Sequence, residues 1–529
     1  MEVLGDVAMR PDDDTASGGV FLRFARFLLT TSALTLSFAS GAAAQTLTGD
    51  VTGPGPQVYD EAVTLDSDVR LTSTDNGGIS FNNTVDGAHT LTVNTGGATT
   101  FGANVGSTTA LTSVTTNAGG ATHIHGNVTT TGAQTFGDAV ILGSDTAFTS
   151  AGGGTITFGG TVETDYRLTV QTAGEAYFTG VVAGDGGISQ AGSGTMLLSA
   201  SNTYRGDTRL LGGVISVASD ANLGDGSSKL FFNGGTLQNT VSFTSARAVT
   251  LGAGGGTFKT DKYLELSGSI SGDGPLIKEG ADTLALTGDD VVGLFNVHNG
   301  TLLVNGGSLA QVNEEYVQNF IGEKEGDDAT LIITNGGTVS SVHKVHIGDS
   351  KGSRDEVVVT GDESSLSVGD MTIGFDGEGS LSVLDGGSFS TVTFMNVGGG
   401  NFNRQGTGHL LVDGAGSSVT IGDQLLIAPW GDGSSGTVTL SNGGVLEVGT
   451  PLSMGASNAS GSAELNIGAA STDAADAVAA ARSSPPKSSS MRPIPVSIST
   501  IPTAPTPSQP SWRVRAAQAS STTMPAIRT

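Results

Sequence analysis

Between Gln45 and Gly468 the chain is written in short alternations of apolar and polar residues. Leu91-Thr92-Val93, Ile79-Ser80-Phe81 and Ile156-Thr157-Phe158 each carry period two, the spacing of a strand that hides one face. Thr and Val, common here, suit a pleated surface. Gly and Asn separate these runs every few residues. From Gln45 to Gly184 no run has the three-four spacing of a helix. Strands this short cannot bury a core singly, but stacked coils of them can.

The pattern also repeats at longer range. Residues 57–105 align without a gap to residues 134–182, an offset of 77. Val63 falls on Val140, Leu65 on Leu142, Phe81 on Phe158, Leu91 on Leu168 and Phe101 on Phe178. Ungapped register marks a repeat array in which each unit packs on the next. Residues 310–468 hold five tandem units, with turn residues Asn335, Thr360, Asp385, Asp413 and Asn442. Most units close on an apolar-Gly step: Ile347-Gly348, Ile373-Gly374, Val397-Gly398 and Ile421-Gly422. Asn-Gly and Asp-Gly supply tight turns. Each unit predicts about one coil, and Asn and Thr stacked in register would satisfy polar groups between layers. At ~20–28 residues and ~4.8 Å per coil, the ordered part predicts ~15–21 coils and a rod of ~70–100 Å.

The stretch Gly192–Gly235 carries a recognisable motif. Gly192, Gly194, Leu198, Asn202, Thr203, Tyr204, Gly206, Thr208, Leu210, Gly213 and Val217 stand at its fixed positions. In them the chain resembles the autotransporter-associated β-strand repeat of bacterial type V secreted proteins. That resemblance implies a right-handed parallel β-helix passenger exported to the cell surface, and implies no enzymatic activity. A degenerate copy at residues 271–304 has Asp289-Asp290-Val291 in place of Asn-Thr-Tyr. The style of residues 45–184 resembles filamentous-haemagglutinin-like exported adhesins.

Both ends differ from the middle. Arg23 and Arg26 precede a mostly apolar run from Phe27 to Ala39, and Ala42-Ala43-Ala44 stands before Gln45. This reads as a signal peptide cleaved between Ala44 and Gln45; the apolar run is too short to span a membrane. After Gly468 there is no Gly, and nine of the 15 prolines follow. Pro removes strand donors, so residues 469–529 predict a basic, disordered tail, or a frameshifted reading of further passenger. Nothing there supplies the strands of a membrane β-barrel. The expected organisation is 1–44 signal region, 45–184 duplicated solenoid, 185–309 autotransporter-type repeats, 310–468 second repeat array and 469–529 tail.

Composition narrows the function. Among 529 residues, 82 are Gly, only 5% are aromatic and 14% charged, a poor match to a globular enzyme. Without cysteine there is no disulfide, thiol catalysis or Cys-based zinc site. A net charge of −27 repels phosphate backbones, so no nucleic-acid partner is expected. No catalytic, cofactor or metal set is assigned, and no cofactor is expected.

Several motifs invite chemistry without forming a constellation. Arg205-Gly206-Asp207 is an integrin-type tripeptide inside the repeat slot. Gly348-Asp349-Ser350-Lys351-Gly352 matches G-x-S-x-G, near His343 and His346, but lacks the strand-to-helix turn of a nucleophile elbow. Asp289-Asp290, Asp327-Asp328 and Asp362-Glu363 are candidate carboxylate pairs for polysaccharide chemistry or weak cation binding. His123 and His125 share a strand face without a third metal ligand. The segment Gly374–Gly379 is too isolated for a calcium-binding array. The reading is an all-β solenoid acting as an exported adhesion or interaction scaffold with an unknown surface ligand. The alternatives are an extracellular carbohydrate-active β-helix enzyme and a truncated, undisplayed fragment. Three or more charged side chains converging in one groove would favour the enzyme.

Overall fold

The computed structural model describes residues 44–312, 317–399, 404–429, 433–450, 452–455 and 461–468, with the backbone of Trp512–Arg515. The export signal expected from the sequence and most of the Pro-rich tail lie outside the described residues. Ala44 is the first described residue, and the first strand opens at Gln45.

The chain winds as a parallel β-solenoid. Each coil crosses a first wall, then a second, then a third, and returns one layer higher. The second wall is a continuous open ladder of 19 parallel strands, from Val51–Gly53 to Ser453–Met454. At ~4.8 Å per strand the rod is roughly 85 Å long. The third wall begins as a seven-stranded sheet and resumes as a ten-stranded one. Along each strand burial alternates, as in Val69–Ser73 and Leu168–Thr172. The inward residues merge into one core running from Leu47 to Val448.

Aromatic rings stack along that core. Tyr59, Phe81 and Phe101 follow one another at 5.1 and 5.3 Å on the third wall. Phe136, Phe158 and Phe178 do the same at 5.4 and 4.5 Å on the second. Each such ring pair adds about 0.5–1.5 kcal/mol beyond its buried area. The two stacks are the two copies of the 77-residue repeat, placed on different walls. All three walls offer the same in-out alternation, so a repeated segment packs equally on any of them.

The recognised motif lies where the third wall has no strand. From Ser199 to Asp207 side chains replace the ladder. Asn202 Oδ1 accepts from Val182 N at 2.8 Å and its Nδ2 donates to Asn222 O at 2.6 Å. Asn222 Nδ2 donates back to Ala200 O at 2.8 Å. Tyr204, fully buried, shares a 2.6 Å hydrogen bond with Thr208 Oγ1, and burial pushes its phenol well above the ordinary value. Leu198, Leu210 and Val217 point into the core. Thr203 donates its N–H to Val182 O. Gly194 stacks so closely over Gly174 that a Cβ would stand 1.8 Å from its carbonyl oxygen. Gly192 and Gly206 crowd the coil below in the same way, and Gly213 has φ 53°. Arg247, 3% exposed, holds the following turn: it pairs with Asp220 at 2.8 and 3.0 Å and donates to the carbonyls of Asp220, Gly224, Asp225 and Ser228.

Two sequence expectations need correction. Ile421-Gly422 is not a closing step like the other three: it leaves the first wall, and Gly422 is not in the left-handed region. The equivalent step is Ile427-Ala428, with Ala428 at φ 45°. The tail was expected to add nothing to the ladder, yet Trp512–Arg515 pairs antiparallel with Val445–Val448 and covers that sheet edge. The composition of the whole tail hides this, because Trp512–Arg515 falls in a Pro-free stretch running from Ser511 to Met524.

Candidate binding surface

In the second repeat array one corner stands out from the rest of the rod. Strands of the second wall end at Ile321, Ile347, Ile373, Val397 and Ile427. The next residue turns left-handed each time: Gly322, Gly348, Gly374, Gly398 and Ala428, with φ from 45° to 83°. From there the chain leaves the wall in a loop, such as 348–353 or 374–377, where earlier coils use only 95–97 or 280–282. Three of the four Gly steps read from the sequence, at Gly348, Gly374 and Gly398, are thus hinges in a row of corner loops.

Between these loops and the third wall runs an open groove of about 420 Å³. Asp327 and Asp328, Ser353 and Arg354, Asp376 and Glu378 line it from three successive coils, and Gln405 and Thr407 extend it to a fourth. Main-chain bonds fix the layers: Arg354 N donates to Asp327 O, Glu378 N to Ser353 O and Thr407 N to Gly377 O. Arg354 Nε pairs with Glu378 Oε2 at 3.1 Å, and Arg404 Nη1 with Asp376 Oδ2 at 2.8 Å. Asp327 accepts from Lys324 N at 2.8 Å and Asn299 Nδ2 at 3.3 Å. Ser353 is 1% exposed and its Oγ makes no aligned hydrogen bond, although the Asp355 carboxyl lies beside it. Burial pushes Asp355 up to about 7.

The loops also fold back over the outer face of the second wall. Phe320, His346, Thr372 and Asn396 stand in register there. His346, Thr372 and Asn396 are at most 5% exposed although they point outward. His346 lies between Phe320 at 5.2 Å and Phe375 at 5.3 Å. Arg404 covers the other side of the corner, 5.3 Å from the Phe375 ring. Asp349 Oδ1 is 3.0 Å from His346 Nδ1, but the approach is not aligned for a hydrogen bond. Burial holds the His346 imidazole below its ordinary range. Thr372 Oγ1 and Asn396 Oδ1 have no partner either.

Of the three carboxylate pairs, only Asp327-Asp328 reaches the groove. Asp289 and Asp290 belong to a first-wall strand, with Asp290 buried. Asp362 and Glu363 lie in a turn at another corner, Glu363 at φ 65°. Arg354, Asp376 and Glu378 were not legible as site residues, because only coil stacking brings them beside Asp327. The segment Gly374–Gly379 is one of the corner loops and the strand start that follows it. Ser350 of the G-x-S-x-G match sits in another such loop and donates its hydroxyl to Glu323 O, with no helix after it. Arg205-Gly206-Asp207 does not project: Arg205 N and Gly206 N donate to the coil below, and Asp207 O accepts from Ile188 N. Arg205 pairs with Asp185 at 2.8 Å and Asp207 lies 3.8 Å from Arg209. His123 and His125 face outward, and the His125 ring lies against Gly143. Among the described residues no three His, Asp or Glu side chains are placed to hold a metal ion, and no helix is long and apolar enough to cross a membrane.

No family model matches the chain, and no solved structure matches it. Among curated proteins it is similar to the adhesin BmaC autotransporter of Brucella suis biovar 1 (strain 1330), with 36% identity over 130 residues. The match covers 24% of this chain, and spans 4% of that much longer relative. Similarity to an autotransporter adhesin, joined to a continuous parallel β-solenoid, gives this chain the build of an autotransporter passenger.

Proposed function

We propose that the chain is an exported passenger that works as an adhesion scaffold at the cell surface or in the surrounding medium. The observation that supports this best is the loop-bearing corner: a rigid rod repeats the same loop departure coil after coil. Contacts that are weak singly then add along the rod by avidity. The relative's name as an adhesin points the same way. Residues 23–44 serve as the export signal in this reading, with cleavage after Ala44. The test is to display residues 45–468 on a non-adherent bacterium and count attachment to host cells and to sibling cells. Attachment no greater than with the empty display system would overturn the proposal.

One observation favours a second reading, an extracellular carbohydrate-active enzyme. Carboxylates from separate coils do converge in one groove, at Asp327, Asp328, Asp376 and Glu378. Asp327, Asp376 and Glu378 are already engaged by the partners named above, which suits a binding groove better than a free acid–base pair. Release of reducing ends from a polysaccharide by the purified protein would decide for the enzyme.

A further inference from the structure

The first corner loop of the second repeat array, residues 322–327, is tied to the coil below through one imidazole. His298 directly follows the second-wall strand Leu294–Val297, and its main-chain N–H donates to Lys278 O in the coil beneath. The residue is 5% exposed and its ring is reached from two sides. Nε2 stands 3.1 Å from Glu323 Oε2. Nδ1 has two neighbours of opposite kind, Lys324 Nζ at 3.0 Å and Glu279 Oε1 at 3.4 Å. An ammonium only donates and an ionised carboxylate only accepts, so Nδ1 can serve one of them at a time. With Lys324 as partner, Nδ1 is bare and Nε2 carries the proton that goes to Glu323. With Glu279 as partner, both nitrogens carry protons and the ring is a cation.

We propose that His298 is a proton-operated clasp on loop 322–327: the neutral ring holds Lys324, and the protonated ring releases it and takes Glu279 instead. Histidine is the side chain that changes charge between about pH 5 and 8. Once charged, the ring and the ammonium 3.0 Å away repel each other. The two cations also compete for one atom, since Glu279 Oε1 is 3.4 Å from Lys324 Nζ as well. Lys324, 59% exposed, is the partner that can leave for water. Glu323 stays, its bond to the ring now charge-assisted. The other charges around this corner do not replace Lys324. Lys278 spends its ammonium on the carbonyls of Glu279, Gly280 and Asn299. Asp327 accepts from Lys324 N and Asn299 Nδ2, and Asp282 from Thr283 N. Lys259 stands one coil below Glu279 in the same outward row, and Glu325 is exposed in the loop. The clasp does not depend on what the loop touches, so it goes beyond the scaffold reading and stands or falls apart from it.

The test is lysine acylation of the purified full chain by an N-hydroxysuccinimide ester. Labelling of Lys324 is read by mass spectrometry against the exposed Lys351, so that the general fall of amine reactivity in acid cancels. From about pH 8 to about pH 5.5 the ratio is expected to rise roughly threefold, the worth of one surface contact. His298→Gln cannot gain the proton, and its ratio is expected to stay flat. A flat ratio in the unaltered chain, or the same rise in His298→Gln, would overturn the proposal. Nitrogen-15 spectra of the histidine-labelled chain at about pH 8 decide it without any variant. His298 is expected to carry its proton on Nε2 there, and a proton on Nδ1 instead would overturn the clasp equally.

Discussion

Asn202 and Asp290 make the same bond on two different walls. Each Oδ1 accepts from the main-chain N–H of a residue 20 positions earlier, Val182 at 2.8 Å and Ile270 at 2.7 Å. Asp290 therefore keeps the acceptor half of the motif asparagine's work. The donor half is lost: Asn202 Nδ2 reaches Asn222 O, whereas Asp290 Oδ2 is buried without a partner. Burial pushes the Asp290 carboxyl up to about 7.

That contrast predicts a pH-dependent stability. The folded chain keeps the Asp290 proton up to about 7, while an unfolded aspartate releases it near ~3.9. The contribution is whole below ~4 and is lost as pH rises through about 7. Asp290→Asn carries no such proton and restores a donor. It should stabilise the fold by about 1–3 kcal/mol at pH 8 and flatten the loss between pH 4 and 8. Urea unfolding of both proteins at pH 4.5 and pH 8 checks this. Equal pH slopes would contradict it.

The fifth corner predicts a stabilising glycine. Ala428 holds φ 45° where the equivalent positions are Gly348, Gly374 and Gly398. Ala428→Gly should relieve about 1 kcal/mol of backbone strain, partly offset by the lost methyl packing. The reverse change, Gly374→Ala, would set a Cβ 2.0 Å from Thr407 O and should unfold the corner. Thermal melts of the two variants should move in opposite directions.

Arg247 should act as a latch on its turn. Arg247→Leu takes a donor from four carbonyls and from the Asp220 carboxylate. A loss of about 3–5 kcal/mol is expected, the range for breaking a buried pair. Limited proteolysis should cut within residues 219–228 before global unfolding. Cleavage elsewhere first would count against the latch.

Phe158 stands between Phe136 and Phe178, and Phe148 meets it edge-on at 4.9 Å. Phe158→Ala should cost about 3–5 kcal/mol. Phe158→Leu should cost less, because it keeps most of the volume. Hydrogen exchange should quicken first in the coils adjoining the gap, since each coil contacts mainly its neighbours.

The sequence alone settled that the chain is built of short strands with one buried face, and that these stack in coils. Period two and ungapped repeats leave little choice, because strands of at most seven residues find partners only in other strands. It also located most of the corner hinges, since Gly at a left-handed turn is a local requirement. Which wall a repeat occupies was beyond it. Phe81 and Phe158 align perfectly in sequence, yet one lies on the third wall and the other on the second. The local pattern is identical on every wall, and only the running sum of coil lengths fixes the difference. For the same reason Ile421-Gly422 looked like a closing step and is not one. The groove too was decided by the tertiary fold. Asp328, Arg354 and Glu378 are strangers in sequence, and they meet because each coil lies directly over the one before.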